Sequence, residues 1–128
     1  MTEYYIIIDD DPFNNLICKM AVENTLDNVN VTTFEDPEEA LIFIQEQYTN
    51  MSIPSIVLLD INMPTMTGWQ FLEEFAKFDE AIRTQFNIYI VSSSVDQRDI
   101  DRANNNALIK GMISKPIKKE NILSIVNS

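Results

Sequence analysis

The stretch that decides the fold is Tyr4-Tyr5-Ile6-Ile7-Ile8-Asp9-Asp10-Asp11-Pro12. Its apolar run has the length and composition of a strand buried on both faces. Three aspartates end it. Pro12 suits the first position of a helix, and Asp11 is placed to cap that helix. The same grammar recurs along the chain. Val29–Phe34 is a second strand, β-branched and alternating. Ile56-Val57-Leu58-Leu59 is a third and ends at Asp60. Ile88–Val91 is a fourth and ends at Ser92-Ser93-Ser94. Gly111-Met112-Ile113-Ser114 is a short fifth and ends at Lys115-Pro116.

Helical patterns fill the intervals. Phe13, Leu16, Ile17, Met20 and Ala21 follow helical spacing after the first strand. Asp36-Pro37-Glu38-Glu39 starts a second helix, with Ala40, Leu41, Ile44 and Tyr48 on one face. Thr67-Gly68-Trp69-Gln70 fits a capping box, with Trp69, Leu72, Phe75 and Ala76 behind it. Trp69, Phe71, Phe75 and Phe78 read as core. A polar helix over Asp96–Asn105 carries Ile100 and Ala103. Its Asn104-Asn105-Asn106 end suggests a left-handed residue in place of the usual glycine. Ile122, Ile125 and Val126 line a short last helix. Five βα units with two-sided apolar strands imply an α/β fold, a parallel sheet wound on both faces. In such sheets ligands bind at the carboxyl ends of the strands, beside the switch in strand order. Asp9, Asp10, Asp60, Ser92 and Lys115 all fall there.

The chain has 128 residues, 20 acidic and 9 basic, for a formal net charge of −11. That length suits one domain, over residues 1–128. No apolar run is long enough to cross a bilayer, and no secretory signal opens the chain, so no membrane partner is expected. A single cysteine, Cys18, excludes an intramolecular disulfide and fits a reducing, cytoplasmic setting. The absence of histidine excludes His-dependent triads and His-ligated zinc. The acidity argues against nucleic acid as a partner and is compatible with cations and basic surfaces.

One capping turn needs one acid, not Asp9, Asp10 and Asp11 together, and Asp60 joins them at the same sheet edge. Like charges gathered there raise one another's pKa unless a cation answers them. A hard divalent ion such as Mg²⁺ takes oxygen ligands from carboxylates, carbonyls and water. Lys115 offers further positive charge. A carboxylate can attack phosphorus to give an aspartyl phosphate, and Ser92 could then bond a phosphoryl oxygen. Taken singly, each residue has a plainer reading: a cap, a loop hydroxyl, a surface lysine. Their joint placement at four strand ends is what favours a site.

At these residues the chain resembles the receiver domain of two-component response regulators. The resemblance rests on Ile7-Ile8-Asp9-Asp10-Asp11-Pro12, on Leu58-Leu59-Asp60-Ile61-Asn62-Met63-Pro64 with Gly68, on Val91-Ser92-Ser93 and on Ser114-Lys115-Pro116. It covers essentially the whole chain. It implies a flavodoxin-like (βα)5 sandwich with strand order 2-1-3-4-5. It implies that Asp60 is the phospho-acceptor. Asp10 is then a direct ligand of Mg²⁺ (or Mn²⁺), Asp9 a ligand through water, and the Asn62 backbone carbonyl the third protein ligand. Ser92 becomes the switch hydroxyl and Lys115 the lysine that pairs with the phosphoryl group. The Lys115–Pro116 bond is expected to be cis. The implied partners are a histidine kinase or a histidine phosphotransfer protein as donor, and a downstream protein as target.

The chain departs from the pattern at Met112, where the family usually carries an aromatic switch residue. Methionine is flexible and could still change rotamer there. Met51, Met63 and Met66 could line a partner surface. Asn62 and Ser94 occupy positions that tune dephosphorylation in the family. No room remains for a DNA-binding output domain, so output is expected through protein–protein contact. Two other readings stand beside the receiver: a phosphate-independent pseudo-receiver, and a phosphatase of the haloacid dehalogenase type. The latter also uses Asp, Mg²⁺, Ser/Thr and Lys, but its nucleophile sits on the first strand.

Overall fold

The computed structural model describes residues 3–47, 53–93 and 96–128. Tyr48, Met51 and Ser94 lie outside the described residues. Five strands, β1 (Glu3–Ile8), β2 (Val29–Phe34), β3 (Ser55–Leu59), β4 (Phe86–Ser92) and β5 (Ile109–Ser114), form one sheet. Every pairing is parallel and the order is β2-β1-β3-β4-β5. Helices α1 (Pro12–Thr25), α2 (Pro37–Gln47), α3 (Gly68–Phe75), α4 (Glu80–Arg83), α5 (Gln97–Asn104) and α6 (Lys119–Val126) connect and follow them.

Alternation along each strand splits the core in two. Ile6, Ile8, Val57, Leu59, Ile88 and Ile90 face Ala40 and Ile44 of α2 and Phe71, Leu72 and Phe75 of α3. Tyr5, Ile7, Leu58, Tyr89, Val91 and Ile113 face Cys18 and Val22 of α1 and Ile122 and Ile125 of α6. Both faces of β1, β3 and β4 are therefore dry, as their uninterrupted Ile, Val and Leu runs require. The caps sit where the side-chain chemistry placed them. Asp11 accepts from the Phe13 amide at 2.9 Å. Thr67 and Gln70 exchange bonds at 3.2 and 2.9 Å.

The first helix departs from the sequence reading. Phe13, Leu16 and Met20 are 65%, 53% and 51% exposed, and Ile17 is exposed at 37%. The buried stripe is instead Asn15, Cys18 and Val22. Helical spacing reveals that a face exists; it does not say which face the sheet takes. Here the polar Asn15 wins the inner position because its side chain holds the strand ends. Its Nδ2 donates to the Asp9 carbonyl at 2.9 Å and the Phe34 carbonyl at 3.2 Å.

Other differences are smaller. The expected left-handed end of α5 does not occur: Asn105 has φ −93° and ψ 2°, and no described residue other than glycine has positive φ. Its amide instead bonds back to Asp101. Ala76 and Val126 are exposed, each at the end of its stripe. Helix α4 had no apolar period to announce it. Strands β4 and β5 each begin two residues earlier than the apolar runs suggest, within a sheet that supplies their backbone bonds.

Candidate functional site

Parallel strands deliver their last residues to one edge. Asp9 follows β1, Asp60 follows β3, Ser92 closes β4 and Lys115 follows β5. Backbone bonds fix the register of that edge: Asp9 N–H donates to the Phe34 carbonyl at 3.0 Å, Asp60 N–H to Ile8 at 2.9 Å, and Lys115 N–H to Ser92 at 2.9 Å. Asp9, Asp60 and Ser92 are buried, whereas Asp10 and Asn62 are exposed. The carboxylates of Asp9, Asp10 and Asp60 each place an oxygen within 4.8 Å of the others.

Lys115 partly answers this charge. Its Nζ donates to Asp9 Oδ2 at 2.7 Å and lies 3.5 Å from Asp60 Oδ1. Burial opposes its charge, but the bond to Asp9 and the charges of Asp60 and Asp9 prevail and raise its pKa. Asp60 is raised as well, first by burial and then by the Asp9 charge, with Lys115 opposing. The Asp60 carboxylate also accepts from the Asn62 amide at 3.3 Å. The pocket thus holds more negative charge than its single lysine neutralises. Its donors are all oxygen, the chemistry that suits Mg²⁺ or Mn²⁺. The carboxylates of Asp9, Asp10 and Asp60 fit such an ion.

The surrounding loops are held closely. Gly68 lies against the residues after β3, where an added Cβ would come within 2.8 Å of the Asp60 carbonyl and the Ile61 Cα. Its amide donates to the Ile61 carbonyl at 3.1 Å. The start of α3 can approach Asp60 this closely only without a side chain. Asn62 Nδ2 donates to Ser92 Oγ at 3.4 Å, linking the third and fourth strand ends. The Lys115–Pro116 bond is cis. Met112 is half-buried and packs against the α2/α3 side of the core. Arg102 of α5 lies over the Trp69 ring, 4.6 Å from its centroid.

All the residues singled out for the acidic pocket therefore meet at one edge: Asp9, Asp10, Asp60, Asn62, Ser92 and Lys115. Met112 stands apart on β5. Met63 is buried in the core and Met66 half-buried. Sequence reasoning missed Asn15, which positions the Asp9 backbone from below. The only signal was a polar residue set against an apolar stripe, and that pattern pointed outward.

Comparison with known proteins gives a consistent picture. A family model described as the response regulator receiver domain matches residues 5–127. A two-component response regulator from Cytophaga hutchinsonii superposes with a TM-score of 0.88 at 25% identity, covering 98% of this chain and 94% of that one. A response regulator receiver protein from Dyadobacter fermentans DSM 18053 gives 0.89 at 24% identity, covering 99% and 96%. Chemotaxis protein CheY4 of Vibrio cholerae shares the fold, with a TM-score of 0.76 at 19% identity over 99% and 98%. No curated protein sequence matches the chain.

Proposed function

Since the chain belongs to the response regulator receiver family, we propose that Asp60 accepts a phosphoryl group from the phosphohistidine of a histidine kinase or histidine phosphotransfer protein. The observation that carries this reading is the cluster of Asp9, Asp10 and Asp60 within 4.8 Å, bridged by an ammonium that reaches two of them. An Asp60 oxygen attacks phosphorus, the P–N bond breaks, and its electron pair stays on the donor's imidazole. Mg²⁺ (or Mn²⁺), held by Asp9, Asp10, Asp60 and the Asn62 carbonyl, would supply the positive charge that neutralises the transferring oxygens. Lys115 pairs with a phosphoryl oxygen, exchanging part of its bond to Asp9 for a charge-assisted bond to the product. Ser92 turns its hydroxyl from Asn62 towards the same group.

The new charge biases the loops after β3 and β4 and the α5 face, with Met112 as the moving side chain in β5. Output is a changed affinity for a downstream protein, in the cytoplasm, by a receiver that is a signalling module rather than an enzyme. Nucleic acid and membrane are not partners in this scheme.

The test is intact mass after incubation with Mg²⁺ and a small-molecule phosphodonor, comparing wild type with Asp60→Asn. One phosphoryl group on wild type and none on the variant supports the reading. Equal gain on both refutes it. Multiple turnover of a phosphate ester would point to the phosphatase, and no gain even from a phosphohistidine protein to the pseudo-receiver.

A further inference from the structure

Phosphoryl chemistry leaves one feature of this edge unused. Beside the carboxylates, between the sheet, α1 and the turn into α6, lies a slot of about 310 Å³. Its floor is Ile7, Leu58 and Val91, and its walls are Ile17, Cys18 and Ile117. Val91, Cys18 and Ile117 keep 5%, 8% and 6% exposure, whereas Leu59, Ile88 and Ile90 on the opposite face of the sheet keep none. The slot opens into the core layer under α1 and α6. Burial holds the Cys18 thiol protonated, pushing its pKa up to about 12, so that wall is neutral and behaves as a small apolar group.

The mouth of the slot carries Asp9, Asp60 and Lys115. Asp10 adds its charge beside them. Carboxylates outnumber the ammonium, so the mouth repels an anionic head group and attracts a cationic one. Apolar walls with a few convergent polar groups at one end are the ordinary form of a small-ligand site. An apolar cavity of about 150 Å³ already admits benzene. This slot therefore has space for a ring and a short linker.

We propose that the slot binds a small organic cation, a primary amine on an aromatic or short aliphatic body, with the body against Ile7, Leu58 and Val91 and the ammonium at Asp9 and Asp60. An alkyl or aryl group gains by leaving water, and the ammonium offsets like charge that Lys115 leaves unanswered. A neutral analogue gains only the first of these. The ammonium takes carboxylates that the proposed Mg²⁺ would hold, so the two cations compete, and the slot is tested without metal.

The experiment titrates 2-phenylethylamine into the full chain in metal-free buffer, with Ile, Leu and Val methyl groups observed by NMR. Saturable shifts are expected at Ile7, Ile17, Leu58, Val91 and Ile117, with Ile88 and Ile90 unmoved. The neutral isostere 2-phenylethanol should bind at least about tenfold more weakly. Ile17→Trp, at a wall position that is 37% exposed, should also weaken the amine at least about tenfold. The proposal is overturned if the alcohol binds as well as the amine, if Ile17→Trp changes nothing, if the shifts gather on Leu16 of the exposed α1 face, or if no saturable shift appears.

Discussion

Replacing Asp60 with asparagine is expected to stabilise the metal-free chain at neutral pH. Asp9 and Asp10 each place a carboxylate oxygen within 4.8 Å of Asp60. At an effective dielectric of about 20, two unit charges at that distance repel by roughly 3.5 kcal/mol, and the exposed Asp10 adds a smaller, solvent-screened share to that of Asp9. Lys115 lies 3.5 Å from Asp60 Oδ1 and offsets roughly 5 kcal/mol on the same scale. The charges alone come close to balance, and burial, the largest cause of the raised Asp60 pKa, tips it against the charged form. An amide keeps the shape and an acceptor for the Asn62 amide while removing the charge. Asp60→Asn should therefore raise the unfolding free energy by about 1–2 kcal/mol, or Tm by roughly 3–10 °C for a domain of this size.

The sign of the pH dependence follows from the same imbalance. Asp60 has a folded pKa above its ordinary value. Below the ordinary carboxylate range both folded and unfolded chains hold its proton, and wild type and variant then differ little. As pH rises through the raised folded value, the folded wild type must either keep a proton the unfolded chain releases or carry an unfavourable charge. Its stability falls relative to the variant. The gap should be nearly absent at about pH 3 and largest at about pH 7. Urea unfolding of both proteins in chelator-treated buffer across that range measures it. A variant no more stable than wild type at neutral pH would refute the electrostatic argument, whatever the fate of the phosphoryl reading.

Three further expectations concern the frame of the site. Gly68→Ala places a methyl 2.8 Å from backbone atoms of residues 60 and 61, and urea unfolding should show a loss of about 2 kcal/mol or more. Asn15→Ala removes both side-chain bonds that tie α1 to the ends of β1 and β2, and the same assay should show a loss of about 1–3 kcal/mol. Met20→Gln alters a side chain that is 51% exposed, so its stability should stay within about 0.5 kcal/mol of wild type; a loss of several kcal/mol would restore the buried-stripe reading of α1.

What the sequence made legible was what the backbone enforces. Runs such as Ile6–Ile8 and Ile56–Leu59 have to be two-sided strands, and parallel strands have to end at one edge. Asp9, Asp60, Ser92 and Lys115 could be gathered there from their places after the runs, with no knowledge of the side-chain geometry. Less legible were the choices made between near-equivalent surfaces. On α1, Phe13, Leu16 and Met20 form a stripe as regular as Asn15, Cys18 and Val22. The second stripe is buried because Asn15 meets carbonyls from β1 and β2, a tertiary bond with no local trace. Asn105 ends α5 without a left-handed residue because its amide already finds the Asp101 carbonyl. Helix α4 is a single turn whose residues are all at least partly exposed, so no periodicity could mark it.

The features that disturb the fold at the strand ends are the ones the proposed chemistry needs. A well-packed domain of this size could end its strands in neutral residues and gain stability. Instead Asp60 is buried beside Asp9 and given half of one ammonium, because the 2.7 Å bond commits Lys115 mainly to Asp9. An ammonium fully paired with Asp60 would quench the nucleophile, and one absent altogether would leave two buried carboxylates unopposed. Sharing one lysine between them leaves the pocket short of positive charge by an amount that a divalent cation removes. It also leaves Lys115 free to move to a phosphoryl oxygen without leaving Asp9 stranded, since Asp9 keeps the Asp11 amide at 2.9 Å. Stability and reactivity are set here by the same three carboxylates, which is why Asp60→Asn should strengthen the one while abolishing the other.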